Sequence, residues 1–570
     1  MIPLGIAVLD NKSITILKDM GRVKHLEELI KNDTSPASVG IAHTRWATHG
    51  KPSKENAHPH LDNSHSFAVV HNGIIENYMP LKSFLEEKGY NFLSQTDTEV
   101  IPNLIHYYYT QNNNILQAVH QTCQKLIGSY AIAVIYKNEC DKIIVAKKDS
   151  PLVLGKGQNE NYISSDISAV LSYTKDFYFL NDKEYAEVYK DKIEFYDANL
   201  KPISKELTKI SWDADAAQKD GYEDFMLKEI YEQSRAIRDT LSISDFPLSS
   251  SDLQNISKIY LVACGTAMHA GLIAKPLLEQ LCQIPAEVDI ASEFRYRNPI
   301  IDEHTLAIFI SQSGETADTL AALKLAKEKG AKTIAISNVV GSSIPREADY
   351  ALYTKAGPEI AVASTKAYTS QVALLTKLAI HFAEQLNSYS LEELDKLKKD
   401  LLKLPIQIEQ ILEHADSLKK IAKIIYTESD IYYIGRGLDY YVCLEGSLKL
   451  KEISYIHSEA YASGELKHGT IALIENGTTV VSVITNPLLK EKSISNIQEV
   501  ITRGAKAIVI TNQDVSSCNF DYVISIPSVS PLLAPILSVI PLQLLAYYVA
   551  KEKHLDVDKP RNLAKSVTVE

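Results

Sequence analysis

The second half of this 570-residue chain contains the same pattern twice. The run IYLVACG at 259–265 returns as IYYIGRG at 431–437, and GAKTIAISN at 330–338 returns as GAKAIVITN at 504–512. The members of the two pairs are 172 and 174 positions apart, so nearly one offset relates both. In each copy short apolar strands alternate with helical segments, which is typical of parallel α/β units. The repeat therefore predicts a duplicated α/β domain.

The first 205 residues have a different pattern. Short β-type runs are bounded by turn residues, and helical spacing appears at 78–88 and 99–109. This mixture predicts an α+β domain with antiparallel sheets. Residues 206–250 carry no strand pattern and are predicted to be a linker with a connecting helix. The predicted organisation is 1–205 (α+β domain), 206–250 (linker and connecting helix), 251–390 (first α/β domain), 391–425 (helical connector), 426–556 (second α/β domain) and 557–570 (C-terminal tail).

Charge and cysteine content exclude several classes of protein. With 59 basic and 71 acidic residues the net charge is −12, so nucleic acid is not an expected partner. Six scattered cysteines form no cluster with metal-ligand spacing, which predicts a cytoplasmic protein without a metal or other cofactor. No signal peptide is predicted. Residues 522–550 carry no charge, but prolines interrupt the run, so a buried helix is predicted rather than a membrane span.

The run SQSGET at 311–316 follows an apolar strand and opens a helical segment. Backbone N–H groups at a helix start favour an anion, and three hydroxyls add donors without adding charge. Gly314 permits close approach of a ligand to the backbone. A simple N-cap is the alternative interpretation, but a cap needs one hydroxyl rather than three and a glycine. The run therefore predicts a binding loop for a phosphorylated small molecule.

Two other segments carry charged residues that are candidates for a catalytic site. Glu445, Lys449 and Glu452 fall on one helix face, a pattern that by itself is more typical of a solvated, salt-bridged stripe. His468 beside Glu465 and Lys467 is a candidate proton carrier, although a single histidine is more often a surface residue.

The C-terminal tail, DKPRNLAKSVTVE at 558–570, also has two interpretations. It is either a frayed end or a strap whose lysine, Lys565, reaches a neighbouring cleft. A lysine amine there could form a Schiff base with a sugar carbonyl.

The first domain carries its own set of motifs. HTRWATHG occupies 43–50, HNGIIEN begins at 71, and TDTE occupies 96–99. Each residue alone would be an ordinary surface residue. Together with SQSGETADT, LEGSLKLKEISYIHSEAYASGELKHG and the PRNLAKSVTVE tail, they make almost the whole chain resemble the glucosamine-6-phosphate synthases, the isomerizing glutamine–fructose-6-phosphate aminotransferases. The resemblance implies an N-terminal-nucleophile glutaminase-like domain followed by two flavodoxin-like sugar-isomerase domains, and a homodimer that uses fructose 6-phosphate and glutamine or ammonia.

In that family the matching residues of the second half act on the sugar. The resemblance implies that His468, from the neighbouring subunit, assists ring opening, that Lys565 forms the imine at C2, and that Glu452 moves a proton between C1 and C2. Lys449 matches a further position of the substrate site. The residues implied to hold the phosphate and the sugar are Thr266, Ser311, Gln312, Ser313 and Thr316, with Val362 and Ser364.

The resemblance likewise assigns the glutamine side. Arg45 would grip the glutamine carboxylate, and Asn72 with Gly73 would form the oxyanion hole. The residues implied to bind the rest of the amino-acid head are Thr48, His49 and Asp97, and Trp46 matches a gate on the ammonia channel.

The printed sequence departs from the family at the glutaminase nucleophile. The family pattern opens with an N-terminal cysteine, whereas this sequence opens Met-Ile-Pro-Leu and its first cysteine is Cys123. The glutaminase half is therefore expected to be inactive in the printed chain. Three readings remain open, namely a full synthase with a start further upstream, a form that isomerises the sugar and uses free ammonia, and a phosphosugar-binding regulator. The regulator is the weakest, because Glu452, His468 and Lys565 are all present.

Overall fold

The chain folds into two compact units. A computed structural model describes residues 2–10, 13–21, 23–30, 37–45, 49–210 and 219–568. The first unit comprises residues 1–212 with 567–570, and the second comprises 213–566.

The first unit is built on three antiparallel sheets, as the α+β prediction requires. Their strand orders are β2-β1-β3, β14-β10-β8-β9 and β13-β12-β11-β7-β6-β5-β4. The strands are β1 (Ile2–Asp10), β2 (Ser13–Gly21), β3 (Val39–Thr44), β4 (His60–Leu61), β5 (Phe67–Ile75), β6 (Gly128–Tyr136), β7 (Glu139–Lys148), β8 (Val153–Lys156), β9 (Asn161–Ser164), β10 (Asp176–Phe179), β11 (Tyr185–Tyr189), β12 (Ile193–Tyr196), β13 (Pro202–Ile203) and β14 (Thr208–Lys209). The helices are α1 (Val23–Ile30), α2 (Tyr78–Glu87), α3 (Val100–Asn112) and α4 (Ile115–Cys123).

Strand β5 shows how these layers are held together. Successive side chains of a strand point to opposite faces of its sheet. Phe67 and Val69 pack with the apolar faces of helices α2, α3 and α4. Ala68 and Val70 pack on the other side, with residues of strands β1 and β3. Strand β5 is therefore buried on both faces, and it carries Asn72 and Gly73 in its second half.

The second unit contains two parallel five-stranded sheets. Their orders, β16-β15-β17-β18-β19 and β21-β20-β22-β23-β24, are the same flavodoxin-like order, which confirms the predicted duplication. The strands are β15 (Lys258–Ala263), β16 (Ala286–Ile290), β17 (Thr305–Ser311), β18 (Lys332–Ser337), β19 (Tyr350–Tyr353), β20 (Asp430–Gly435), β21 (His457–Ala462), β22 (Thr479–Ile484), β23 (Lys506–Thr511) and β24 (Tyr522–Ser525).

Helices cover both faces of these sheets and join them. They are α5 (Phe225–Tyr231), α6 (Gln233–Leu241), α7 (Ser250–Gln254), α8 (Gly265–Cys282), α9 (Ala291–Phe294), α10 (Ala317–Glu328), α11 (Ser343–Glu347), α12 (Lys366–Leu386), α13 (Leu391–Leu401), α14 (Leu404–Leu412), α15 (Ala415–Ile425), α16 (Leu438–Ser454), α17 (Lys490–Ile501) and α18 (Ala534–Glu552). Ligands of such sheets bind beyond the carboxyl ends of the strands. Ser311 ends β17 and Thr266 follows β15, so both predicted phosphate residues lie at that edge.

Two predicted helical segments lie in the core of the second unit. Where a connecting helix was predicted within 206–250, the structure has the consecutive helices α5 and α6, whose Met226, Ile230 and Ile237 are fully buried. Helix α18 is long and apolar enough to cross a membrane by length and composition, yet 89% of its apolar window is buried. The prediction of a buried helix at this point is confirmed.

Candidate active site

The predicted phosphate loop, residues 311–316, runs from the end of β17 to the start of α10. Ser311 Oγ lies 2.9 Å from Thr316 Oγ1 and accepts a hydrogen bond of 3.0 Å from the Gly314 amide. Thr316 is the N-cap residue of α10 but makes no side-chain cap bond, so its hydroxyl does not serve the helix as a cap would. Gln312 is half-buried, and its backbone carbonyl accepts from the Asn338 amide at 3.1 Å.

Gly314 is required by the shape of this loop. Its φ is +68°, in the left-handed region, and a Cβ at this position would come within 1.9 Å of Ser342 Oγ. Any side chain would therefore both strain the backbone and push the loop away from the neighbouring turn.

Lys565 of the C-terminal tail is anchored beside this loop. Its Nζ donates to Glu359 Oε2 at 2.5 Å and to the Ala361 carbonyl at 2.8 Å. The next residue, Ser566, donates from its Oγ to Ser313 Oγ at 3.0 Å, which ties the tail to the phosphate loop. The tail from Asp558 to Ser566 is therefore a strap with defined contacts, and the reading of it as a frayed end is wrong for these residues.

Glu359 is the centre of these contacts and was not predicted. Its Oε2 also accepts from Ser364 Oγ at 2.8 Å, and its Oε1 accepts from the amides of Thr365 and Ala367. Burial alone would raise the pKa of Glu359, but the charge and hydrogen bond of Lys565, with these amides, lower it to about 2. A buried, ionised carboxylate therefore faces the Lys565 amine. Val362 lies next to this cluster, and its amide donates to the Asp558 carbonyl at 3.0 Å.

The stripe on helix α16 is buried, so its reading as a solvated face is wrong. Lys449 and Glu445 are both 0% exposed. Lys449 Nζ lies 2.6 Å from Glu452 Oε2 and 3.5 Å from Glu445 Oε1, and donates to Thr266 Oγ1 at 2.9 Å. Burial lowers the pKa of Lys449, but the charges of Glu452 and Glu445, helped by Glu359, raise it overall. Lys449 is therefore a fixed cation beside Glu452.

His468 is apart from these groups within a single chain. It ends a short 3₁₀ helix at 465–468 and is exposed to solvent. Among the residues that the structure describes, no hydrogen bond joins His468 to Lys565, Lys449 or Glu452. The contacts thus join the residues predicted to act on the sugar into two groups, Lys449 with Glu452 and Thr266, and Lys565 with Ser364 and the phosphate loop, and His468 belongs to neither.

The residues predicted to bind glutamine lie near the end of β3 in the first unit. Arg45 is 4% exposed, and its guanidinium donates to the carbonyls of His49 and Gly50. Burial lowers the pKa of Arg45, and the charge of Asp97 opposes that shift. Asp97 Oδ2 in turn accepts from the Ile75 amide at 2.8 Å, on the strand that carries Asn72 and Gly73. Trp46 and Thr48 lie outside the described residues, so their predicted roles stay predictions.

Gly73 is fixed by its strand. Its φ is +141°, and a Cβ would come within 2.1 Å of the Ser129 carbonyl on strand β6. Asn72 directly precedes it, half-buried, in register with Ala131. The Asn72 side-chain amide donates to Thr568 Oγ1 at 3.0 Å, and the oxyanion role of Asn72 and Gly73 stays a prediction.

Comparison with known proteins decides the family. Two SIS domains match residues 252–381 and 424–552, and a glutamine amidotransferase domain matches residues 43–172. The glutamine–fructose-6-phosphate aminotransferase (isomerizing) of Clostridium acetobutylicum is 52% identical over 99% of this chain and 95% of its own length. That of Clostridium perfringens is 53% identical with the same coverage. The chain belongs to the isomerizing glutamine–fructose-6-phosphate aminotransferase family. It is therefore a transferase, as predicted.

A solved structure supports the same family assignment for the second unit. The C-terminal domain of glucosamine–fructose-6-phosphate aminotransferase from Francisella tularensis is 42% identical, with a TM-score of 0.58. The match covers 60% of this chain and 100% of the Francisella tularensis domain. The family assignment confirms the predicted fold class, a glutamine amidotransferase domain followed by two sugar-isomerase domains.

The cysteines of this family member include no obvious glutaminase nucleophile among the residues that the structure describes. Cys123 ends helix α4 and is buried in the core, and burial raises the pKa of its thiol to about 12. Cys140 lies on strand β7 and donates from Sγ to the Lys137 carbonyl at 3.2 Å. The expected loss of glutaminase activity is not tested by these observations and stays a prediction. No group of three or more metal-ligating side chains occurs in the described ranges.

Proposed function

We propose that this family member makes glucosamine 6-phosphate from fructose 6-phosphate, with Lys565 as the group that binds the sugar covalently. The observation that carries the proposal is the anchoring of the tail, which places a lysine amine on Glu359 and its neighbour Ser566 on the phosphate loop. A phosphorylated substrate and six free cysteines also favour the cytoplasm as its compartment.

The phosphate loop would hold one end of the substrate. Hydroxyls at the start of a 12-residue helix, with no lysine or arginine between them, suit a phosphate dianion that also meets the helix dipole. The residues proposed for the phosphate are Ser311, Gln312, Ser313 and Thr316, with Thr266. Val362 and Ser364 lie beside Glu359 and would hold the sugar chain between the loop and Lys565.

The chemistry would then use three groups in order. After the ring is opened with the help of His468, the Lys565 amine adds to the C2 carbonyl, and water leaves to give an imine. Ammonia would then add at C2 and the Lys565 amine would leave, which gives the ammonia imine of the sugar. Glu452 would take a proton from C1 and return a proton to C2, so that C1 becomes the aldehyde and C2 carries the amine of glucosamine 6-phosphate. Lys449, 2.6 Å from Glu452, would stabilise negative charge that develops on the sugar.

Nitrogen supply is the first test of this function. A polypeptide of these 570 residues is expected to form glucosamine 6-phosphate from fructose 6-phosphate with ammonium salt but not with glutamine, because burial raises the pKa of the Cys123 thiol and Cys140 Sγ is engaged with the Lys137 carbonyl. Product is measured by mass spectrometry, with the Lys565→Ala chain as the blank. Glutamine-dependent product would refute the predicted loss of glutaminase activity. Absence of product with both donors would refute the proposed function and favour the regulator.

A homodimer is the second part of the proposal. His468 is exposed and separate from the lysine cluster within one chain, so it can serve the site of a neighbouring subunit. His468→Ala and Lys565→Ala chains are each expected to be inactive, whereas co-expression should restore about a quarter of the wild-type rate, since mixed dimers contain one intact site. The rate of fructose 6-phosphate isomerisation measures this. No recovery in purified mixed dimers would place His468 in its own chain's site.

A further inference from the structure

A second buried carboxyl group lies next to the segment that anchors Lys565. Glu229, on helix α5, is 1% exposed. Its Oε1 accepts hydrogen bonds from the amides of Ile360 and Ala361, the latter at 3.1 Å. Its Oε2 is also buried and has no hydrogen-bond partner among the described residues. The mechanism above gives this residue no role.

The amides that Glu229 holds belong to the same short segment as the contacts of Lys565. The Lys565 amine donates to Glu359 and to the Ala361 carbonyl. The two amides that donate to Glu229, those of Ile360 and Ala361, lie between these two acceptors along the chain. Helix α5 anchors the tail as well, because Asp558 accepts from the amides of Phe225 and Met226 at its first turn. One helix therefore positions both partners, the segment 359–361 and the strap that carries Lys565.

The charged side chains around Glu229 form ion pairs with other residues and not with Glu229. Lys366 of α12 lies 2.6 Å from Glu232, and Lys228 lies 2.7 Å from Asp220. Glu359 is paired with Lys565. Burial, together with the charge of Glu359, raises the pKa of Glu229 to about 8, even though Lys565, Lys366 and the Ile360 amide oppose the shift. At neutral pH Glu229 is therefore mainly the neutral acid.

We propose that Glu229 is a positioning residue that sets both the place and the charge state of Lys565. As a neutral acid it holds segment 359–361 in place and leaves Glu359 as the one carboxylate that faces the lysine. An ionised Glu229 would add a second negative charge, which stabilises the ammonium form of Lys565, and an ammonium cannot add to a carbonyl. The inference rests on the proposed role of Lys565 as the imine-forming group.

The test compares three full-length variants in the conversion of fructose 6-phosphate to glucose 6-phosphate, which needs no nitrogen donor. Glu229→Ala is expected to lower kcat about 10- to 100-fold at pH 7 with little change in KM, since the reacting amine is displaced. Glu229→Gln, whose amide oxygen can accept the same two hydrogen bonds, is expected to recover most of that loss. Glu223→Gln removes an exposed carboxylate just before α5 and serves as the matched control.

The pH profile separates this role from simple support of the fold. Wild-type chain and Glu223→Gln should lose activity as Glu229 ionises near pH 8, whereas Glu229→Gln should keep its rate above that pH. Superimposable profiles of wild type and Glu229→Gln between about pH 6 and 9.5 would overturn the inference, and that comparison holds even if Glu229→Ala does not fold. Borohydride trapping of fructose 6-phosphate on wild-type Lys565 is measured first. If trapping fails, the proposed function has failed; if it succeeds and the profiles coincide, only the role of Glu229 has failed.

Discussion

Replacement of Lys565 by alanine is expected to lower kcat for fructose 6-phosphate isomerisation by at least about 1,000-fold, or roughly 4 kcal/mol of transition-state stabilisation. The variant removes the amine that forms the imine and leaves Glu359 buried without its counter-charge. Lys565→Arg separates these two effects. Its guanidinium keeps the positive charge beside Glu359 but cannot form an imine, so it should be as inactive as alanine.

A lysine in the same strap supplies the control. Lys559 is exposed, and within the described ranges its backbone amide, which donates to Asp556 Oδ1, is its one hydrogen-bonded group. Lys559→Ala is therefore expected to keep the wild-type rate in the same steady-state assay. If Lys565→Arg retained even a tenth of the wild-type rate, covalent chemistry at this residue would be excluded and an electrostatic role would replace it.

Replacement of Glu452 by glutamine is expected to lower the isomerisation rate about 100- to 10,000-fold, because the group that carries the proton between C1 and C2 is lost. The variant removes a negative charge but keeps the size of the side chain, and Lys449 retains Glu445 as a partner. Exchange of the C1 proton of fructose 6-phosphate with deuterated solvent, followed by NMR, should fall by the same factor.

The Glu452→Gln substitution should block proton transfer but not imine formation, so the two steps can be measured separately. Glu452→Gln is expected to form the Lys565 imine with nearly the wild-type extent, because Glu359 rather than Glu452 contacts the amine. Glu475 is an exposed carboxylate before strand β22, and the Glu475→Gln variant serves as the control that should keep the wild-type rate of proton exchange. Wild-type exchange in the Glu452→Gln chain would assign the proton transfer to another group.

The fold was predictable where strands are buried on both faces. Every position of β17 is buried, and its apolar run marks it as a central strand. Edge strand β16, AEVDI, was missed because it alternates acidic and apolar residues and only partly buries them. Helices α5 and α6 were predicted as a connecting helix, but their many charged residues obscured the apolar face that enters the core.

The site was predictable where a motif carries the chemistry and not where a single residue acquires its role through folding. The phosphate loop and Lys565 stand in long motifs. Glu359 and Glu229 are isolated acids whose partners lie far along the chain, at Lys565 and at 360–361. The one signal for Glu359 is its place before the apolar run Ile360-Ala361-Val362-Ala363, where a charge is unexpected. The burial of Glu445 and Lys449 was likewise invisible, since spacing on a helix does not say which face is covered.

Borohydride trapping tests the central claim most directly. The full-length chain is incubated with fructose 6-phosphate, reduced with sodium borohydride, digested and mapped by mass spectrometry. The account predicts one substrate-dependent adduct, a hexitol phosphate on the ε-amine of Lys565, and none in Lys565→Arg. An adduct on another lysine, or a fully active chain that gives no adduct at all, would contradict it.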